Sequence, residues 1–470
     1  MSAARLGDVA IVLHSHMPYV EGFGTYPFGE EWLFDAVLRS YLPVTEVADG
    51  LTMTVTPVLA DQLEAEGVAQ RLEDFARRYR LEACEAEADQ VPEPLAHACF
   101  AEAERYRHGI ARLDELGDDL VGVFRRPLEA GSVELIGSAA THAVLPLVAT
   151  LPGRRLQVDA GLRSHRRRFG RSAGLWLPEC AYEAGLDALL AERGVSFFCV
   201  DQSAHEEGLE PLVPVATPAG PVALPIDWEA ISWLWSLDGY PSDPVHADFH
   251  RQSMRGARLW SIAGDAYDPA AAEAVARGQG ASFVASAAQR LSSFRERHGR
   301  PGLLTFAIDT ELLGHWWWEG PAWLEEVLRL VPEHGIEPVT LSQAVERHEP
   351  EARPLRRSSW GDGKDLRTWD SPPVADLAWA ARRLELRLLR ALVQGRVAGA
   401  AAVRAARELL AAQASDWAFL DQRGQAADYP YERASGHARA MYEAIDSADP
   451  PDPRLRSLAP DLVVAPLLEP

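Results

Sequence analysis

Two carboxylates stand where an apolar run stops abruptly on a polar residue. Glu179 follows Leu175-Trp176-Leu177-Pro178, and Asp309 follows the run from Leu303 to Ile308. Cleaving a glycosidic bond needs one carboxyl to attack or stabilise the anomeric carbon and another to protonate the departing oxygen. Two carboxyls whose surroundings separate their pKa values can divide that work. Acidic residues at strand ends also cap helices, so the pair alone decides nothing. What adds to it is the neighbourhood of Trp176 and of Trp316, Trp317 and Trp318. Successive side chains point in different directions, so at least one of the three tryptophans should face a cleft. An acid beside flat aromatic surfaces suits a ligand with apolar ring faces and many hydroxyls, which describes a sugar.

A second constellation competes. His14 and His16, two apart on a strand, share a face, and with His142 and Asp201 they could bind a divalent metal. On that reading the chain is a metal-dependent hydrolase or deacetylase, and the tryptophans stay unexplained. The other reading makes the same histidines hydrogen-bond donors to sugar hydroxyls. Fourteen tryptophans form the third group. Those in Gly, Pro or Asp contexts, such as Trp235 in the run to Tyr240-Pro241, are candidates for exposed stacking surfaces, whereas others must be core. No phosphate-binding glycine loop, nucleophile elbow or dinucleotide fingerprint is present.

These residues need elements to deliver them. Val9–Leu13, Leu51–Val55, Val133–Ile136, Gly174–Leu177, Ser196–Val200, Val222–Ile226 and Leu303–Ile308 are short apolar runs, most ending on a polar residue, with helical stretches between them. Strands alternating with helices predict a mainly parallel sheet, here long enough to curl into a barrel. His14, His142, Glu179 and Asp309 then gather at one rim, the carboxyl ends of the strands. Val339-Thr340 reads as a last short strand. Residues 58 to 130 carry no strand-like run and read as a helical excursion. Beyond about residue 350 the alternation ends; helices are expected at about 374–393, 397–413 and 431–445, then an irregular tail.

A length of 470 residues accommodates one large catalytic domain and a smaller one. The net charge of −23 argues against nucleic acid or an anionic membrane as partner and is compatible with a neutral ligand. No apolar run reaches the roughly 18 residues of a membrane helix, and the amino terminus does not read as a signal peptide. Cys84, Cys99, Cys180 and Cys199 show no C-x-x-C spacing and read as reduced thiols. The expected location is the cytoplasm. Lys364 is the only lysine, nearly all positive charge being arginine, for which GC-rich coding bias is the plain explanation.

The segments HSHMPYV (14–20), ELIGSAATHAVLP (134–146), GLWLPECAY (174–182) and IDTELLGHWWWEGP (308–321) resemble, in order, the signatures of glycoside hydrolase family 57. EEWLFDA (30–36), WSLDGYPSDP (235–244), SSWGDG (358–363) and SDWAF (415–419) extend the resemblance toward the 1,4-α-glucan branching enzymes of that family. It implies an incomplete (β/α)7 barrel over 1–350 with a helical insertion at about 60–130, and an all-helical domain over 351–470. It also implies a retaining mechanism on α-glucan such as amylose, glycogen or maltodextrin, without metal or other cofactor. Glu179 matches the nucleophile and Asp309 the general acid/base; His14, His16 and His142 match groups around the sugar. Trp235, Trp360, Trp369 and Trp417 match cleft aromatics, and Tyr240 a loop tyrosine associated with transfer. The sequence departs from the pattern at Glu183-Ala184-Gly185, at Ser242 in GYPSD, in the short stretch between His250 and Trp260, and at Tyr429-Pro430. The alternatives on the same site are α-amylase and 4-α-glucanotransferase.

Overall fold

The computed structural model describes residues 5–26, 28–204, 211–446 and 456–469. Its first strand, β1 (Gly7–Ser15), is buried at all nine positions, as a near-continuous apolar run requires when both faces of a parallel sheet are covered. The other strands in chain order are β2 (Leu51–Val55), β3 (Val133–Ser138), β4 (Gly174–Trp176), β5 (Phe197–Val200), β6 (Val215–Ala216), β7 (Val222–Pro225), β8 (Gly302–Asp309), β9 (Ile336–Pro338) and β10 (Glu351–Ala352). They hydrogen-bond in the order β10-β6-β7-β5-β4-β3-β2-β1-β8, with β9 against the start of β1. Every pairing is parallel except β6 with β7. The sheet curls without closing. Two backbone bonds bridge the gap beside β8, Leu303 N–H to Leu212 O at 2.9 Å and Asp227 N–H to Thr305 O at 2.8 Å.

Register decides what meets at the rim. Ile308 lies opposite Leu13, and one step on Asp309 lies opposite His14, whose other neighbour is Thr54 on β2. The stretch after β2 is helical throughout, with helices at Pro57–Leu63, Val68–Asp74, Glu82–Ala88, Glu93–Leu116 and Gly122–Ala130. The helix Leu151–Phe169, capped by Thr150 on the Gly153 N–H, returns over β3 so closely that a Cβ at Gly161 would lie 2.0 Å from Ser138 O.

Four helical segments, Ala375–Val393, Gly399–Ala412, Asp416–Arg423 and Tyr429–Asp446, follow the barrel. Their core of Leu384, Leu388, Leu409 and Met441 is continuous with Tyr19, Val58 and Leu156 of the barrel. The helical part is thus packed onto the rim rather than tethered beside it. Tyr429-Pro430 does break the helical run: one helix ends on Gly424 at φ 61°, and the next starts at Tyr429, where proline's missing N–H costs nothing. One expected strand is displaced. β9 ends at Pro338, while Thr340 caps the helix Leu341–Arg347 in a capping box with Gln343, so Val339-Thr340 is the turn between them. Part of the expected irregular tail, 447–455, lies outside the described residues.

Candidate active site

The rim at the carboxyl ends of β1, β3, β4 and β8 brings His14, His16, His142, Glu179 and Asp309 together. Glu179 sits in a tight turn after β4 with left-handed backbone, φ 60° and ψ 21°, and His142 is also left-handed at φ 56°. Such conformations cost non-glycine residues energy and persist where the surroundings impose them. Here Trp360 imposes one of them twice over. Its backbone N–H donates to Glu179 O at 3.0 Å, and its indole N–H donates to Glu179 Oε2 at 2.7 Å.

The histidines form a stack: ring centroids of His14 and His142 are 4.8 Å apart, those of His16 and His142 4.1 Å, and His14 lies 4.7 Å from Trp176. Burial drives His14 and His142 well below the usual imidazole range, so both are neutral. Their tautomers then follow from the hydrogen bonds. Ser415 donates to the Glu179 carboxylate, so it accepts from His142 Nδ1–H at 2.9 Å. His142 Nε2 therefore accepts from His14 Nε2–H at 3.0 Å, and His14 Nδ1 accepts from Thr54 Oγ at 2.5 Å. One directed chain runs from β2 to the nucleophile candidate. Both Nε2 atoms are spent on one hydrogen bond between the two rings, and Asp201 is occupied by Trp228 Nε1–H. Among the described residues no group of three or more His, Cys, Asp or Glu is arranged to hold a metal ion.

His16 differs. Burial lowers its pKa, but Asp416, Glu311 and Glu179 outweigh burial and hold it above the ordinary value. It donates from Nε2 to Asp416 Oδ1 at 2.9 Å and from Nδ1 to Thr56 Oγ at 3.1 Å. The carboxyls are also set apart from each other. Burial raises Glu179, with the Trp360 and Ser415 hydrogen bonds pulling it back. Burial raises Asp309 well above the carboxylate range, the like charges of Glu311 and Glu179 push it further, and His16 offsets only part. Glu311, buried, is pushed up to about 7 although Tyr41 O–H and His16 N–H donate to it.

The aromatics divide. Trp317 and Trp318 are core, and Trp316 is the one that faces out, 39% exposed. It meets Trp235, 48% exposed, edge to face at 6.3 Å. Tyr240 opens the turn after the helix Trp228–Trp235 and is half-buried. Trp369 and Trp417, expected as cleft surfaces, are 3% and 2% exposed. Trp417 spends its indole N–H on Ala411 O at 2.7 Å, and Trp369 packs on Gly361 behind Trp360. Both line a separate cavity of about 340 Å³ between the carboxyl-terminal helices and the 144–148 loop. Ser415 also lines it, with its hydroxyl turned to His142. The residues that sequence reasoning passed over are polar partners: Thr54, Thr56, Tyr41, Glu311, Ser415 and Asp416. The segment SDWAF was the one signal that pointed to the last two.

Residues 10–355 match the family described as glycosyl hydrolase family 57, and residues 377–459 the one described as 1,4-alpha-glucan branching enzyme, C-terminal. A 1,4-alpha-glucan branching enzyme of Thermococcus kodakarensis is 30% identical, the match covering 93% of this chain and 73% of that protein. A probable 1,4-alpha-glucan branching enzyme of Mycobacterium tuberculosis is 32% identical over 93% of this chain and 91% of its own length. The crystal structure of a branching enzyme of that family from Pyrococcus horikoshii superposes with a TM-score of 0.93 at 28% identity, covering 98% of this chain and 97% of that one.

Proposed function

The chain belongs to glycosyl hydrolase family 57, and on that premise we propose how its residues carry out 1,4-α-glucan branching. The observation that carries the assignment is the unequal treatment of two neighbouring carboxyls. Glu179 receives two hydrogen bonds that favour its ionised form, while Asp309 is pressed by burial and like charge to keep its proton. That makes Glu179 the nucleophile and Asp309 the acid.

Glu179 Oε attacks C1 of the glucose unit at the scissile bond. As the C1–O4 bond breaks, Asp309 gives its proton to O4, leaving a covalent glucosyl-enzyme. Asp309, now a carboxylate beside protonated His16, takes the proton from a 6-hydroxyl of an acceptor chain. That oxygen attacks C1, and Glu179 leaves. His14, His16 and His142 form the wall against the sugar, where a hydroxyl would open the His14–His142 bond. Trp235, with Trp316, is the stacking surface for glucan, Trp360 holds Glu179, and Tyr240 shields the intermediate from water. Trp369 and Trp417 back this wall from the second cavity. We divide the chain into a barrel to about residue 350, with its helical insertion, and a helical domain that supplies Ser415 and Asp416. Among the described residues no helix is long and apolar enough to cross a membrane, and the four buried free cysteines fit the reducing cytoplasm.

The test is trapping. Asp309→Asn given an α-glucosyl fluoride, whose leaving group needs no acid, should accumulate an adduct on the peptide containing Glu179. Glu179→Gln should form none and lose roughly 10³-fold or more in turnover while remaining folded. An adduct on another residue, or a Glu179→Gln protein with near-full activity, overturns the assignment.

A further inference from the structure

Of the forty-six lysines and arginines, one is lysine, and it stands four residues from Trp360. Lys364 has left-handed backbone, φ 58°, after Gly363 at φ 67°. The loop around it is closed by Lys364 N–H to Gly361 O at 3.0 Å and Ser359 N–H to Lys364 O at 3.3 Å. Its side chain turns back into the fold. Nζ donates to Trp360 O at 3.3 Å, lies 2.8 Å from the centroid of the Trp228 ring, and stands 3.5 Å from Asp201 Oδ2. Asp201, fully buried at the end of β5, also accepts the Trp228 indole N–H and the Ser203 N–H.

One ammonium thus joins three parts of the rim: the loop with Trp360, the end of β5, and the start of the helix Trp228–Trp235, whose far end carries Trp235 and leads to Tyr240. A compact charge with three N–H donors can face a carbonyl, a carboxylate and a ring at once. A planar guanidinium, broader and with its donors fixed in a fork, cannot repeat that arrangement.

We propose that Lys364 is a positioning residue for the reaction: by anchoring the 359–364 loop to Asp201 and Trp228 it keeps the Trp360 indole N–H on Glu179, and it couples the nucleophile to the helix that leads to the transfer loop. This rests on Glu179 being the nucleophile. With the anchor gone, Trp360 is free to swing, Glu179 loses a donor to its ionised form, and its pKa rises.

Lys364→Met keeps the stem and removes the charge. The acidic limb of kcat/KM against pH should move up by about half to one unit, with kcat falling more than KM changes. Lys364→Arg should fail to restore it. Trp360→Phe should move the same limb, and the double variant should move it no further, because both act through one hydrogen bond. Additive effects, or an unmoved limb, overturn the proposal. A second measurement needs neither activity nor a folded variant. With lysine labelled by carbon-13 the wild-type spectrum holds one lysine, and its Hε protons should lie upfield in the ring current of Trp228. Hε protons at their ordinary position overturn the anchor itself. An upfield signal together with an active Glu179→Gln protein would instead overturn the reading of the nucleophile, so the two failures are distinguishable.

Discussion

At the scale of single residues the site is a set of unequal neighbours. Glu179 and Asp309 share one rim, yet one is served by Trp360 and Ser415 and the other is crowded by Glu311 and Glu179. The kcat/KM profile should therefore be bell-shaped, rising as Glu179 ionises and falling when Asp309 loses its proton, the first limb above the ordinary glutamate value and the second well above the ordinary aspartate value. The same shift has a consequence for stability. Asp309 has a folded pKa raised above its unfolded value, so between the two the folded protein binds more protons than the unfolded chain, and stability falls as pH rises. His16, also raised, contributes stability that is lost in the same direction as it deprotonates. Asp309→Asn removes the first contribution. Thermal melts from pH 4 upward should show wild type losing more stability than the variant as pH rises; parallel curves would contradict a folded-state pKa of Asp309 raised above its unfolded value. This pairing of acids was legible in the sequence as two polar residues at the ends of apolar runs. Their partners were not, because Thr54, Ser415 and Asp416 are ordinary polar residues until the fold brings them, across as many as 400 positions, to His14, His142 and His16.

At the scale of elements, the strands could be read and the tryptophans could not. A buried parallel strand announces itself by continuous apolar character, and Leu51–Val55 and Val133–Ile136 fall where that character predicts. Val339-Thr340 misleads because a β-branched pair before a helix is also how a capping box begins. Trp369 and Trp417 mislead because a core indole and a stacking indole have the same sequence signature. What sequence does not announce is closeness. Gly161 lets the helix Leu151–Phe169 lie against the end of β3, the strand that leads to His142, with no room for a methyl between Gly161 and Ser138 O. Gly161→Ala should destabilise the fold by about 1–3 kcal/mol and shift the helix outward. Calorimetry checks the first and a pH profile of the surviving enzyme the second, since the displaced His142 relays to Glu179. An unchanged melting temperature would show that the helix has slack there.

At the scale of the whole molecule the question is what attacks the glucosyl-enzyme. Water is present at roughly 55 M, so transfer needs an acceptor held in line and water kept out, an orientation effect that can reach several orders of magnitude. The barrel supplies the carboxyls, and the carboxyl-terminal helices supply Ser415, which donates to Glu179, and Asp416, which accepts from His16. On the proposed function, the loop that begins at Tyr240 and the exposed pair Trp235 and Trp316 would hold that acceptor. The short stretch between His250 and Trp260 is one of the departures from the family pattern. In the fold it is anchored: Arg258 N–H donates to Glu102 at 2.8 Å, and the Arg258 guanidinium lies 4.7 Å from the Trp318 ring, so the shorter segment still braces the tryptophan run. Incubation with amylose, read by proton NMR for α-1,6 linkages and by a reducing-end assay, tests the central claim most directly. New branches should exceed new reducing ends, and Tyr240→Ala should move the ratio toward reducing ends. Reducing ends accumulating in the wild type with no α-1,6 signal would contradict branching and make the protein an amylase.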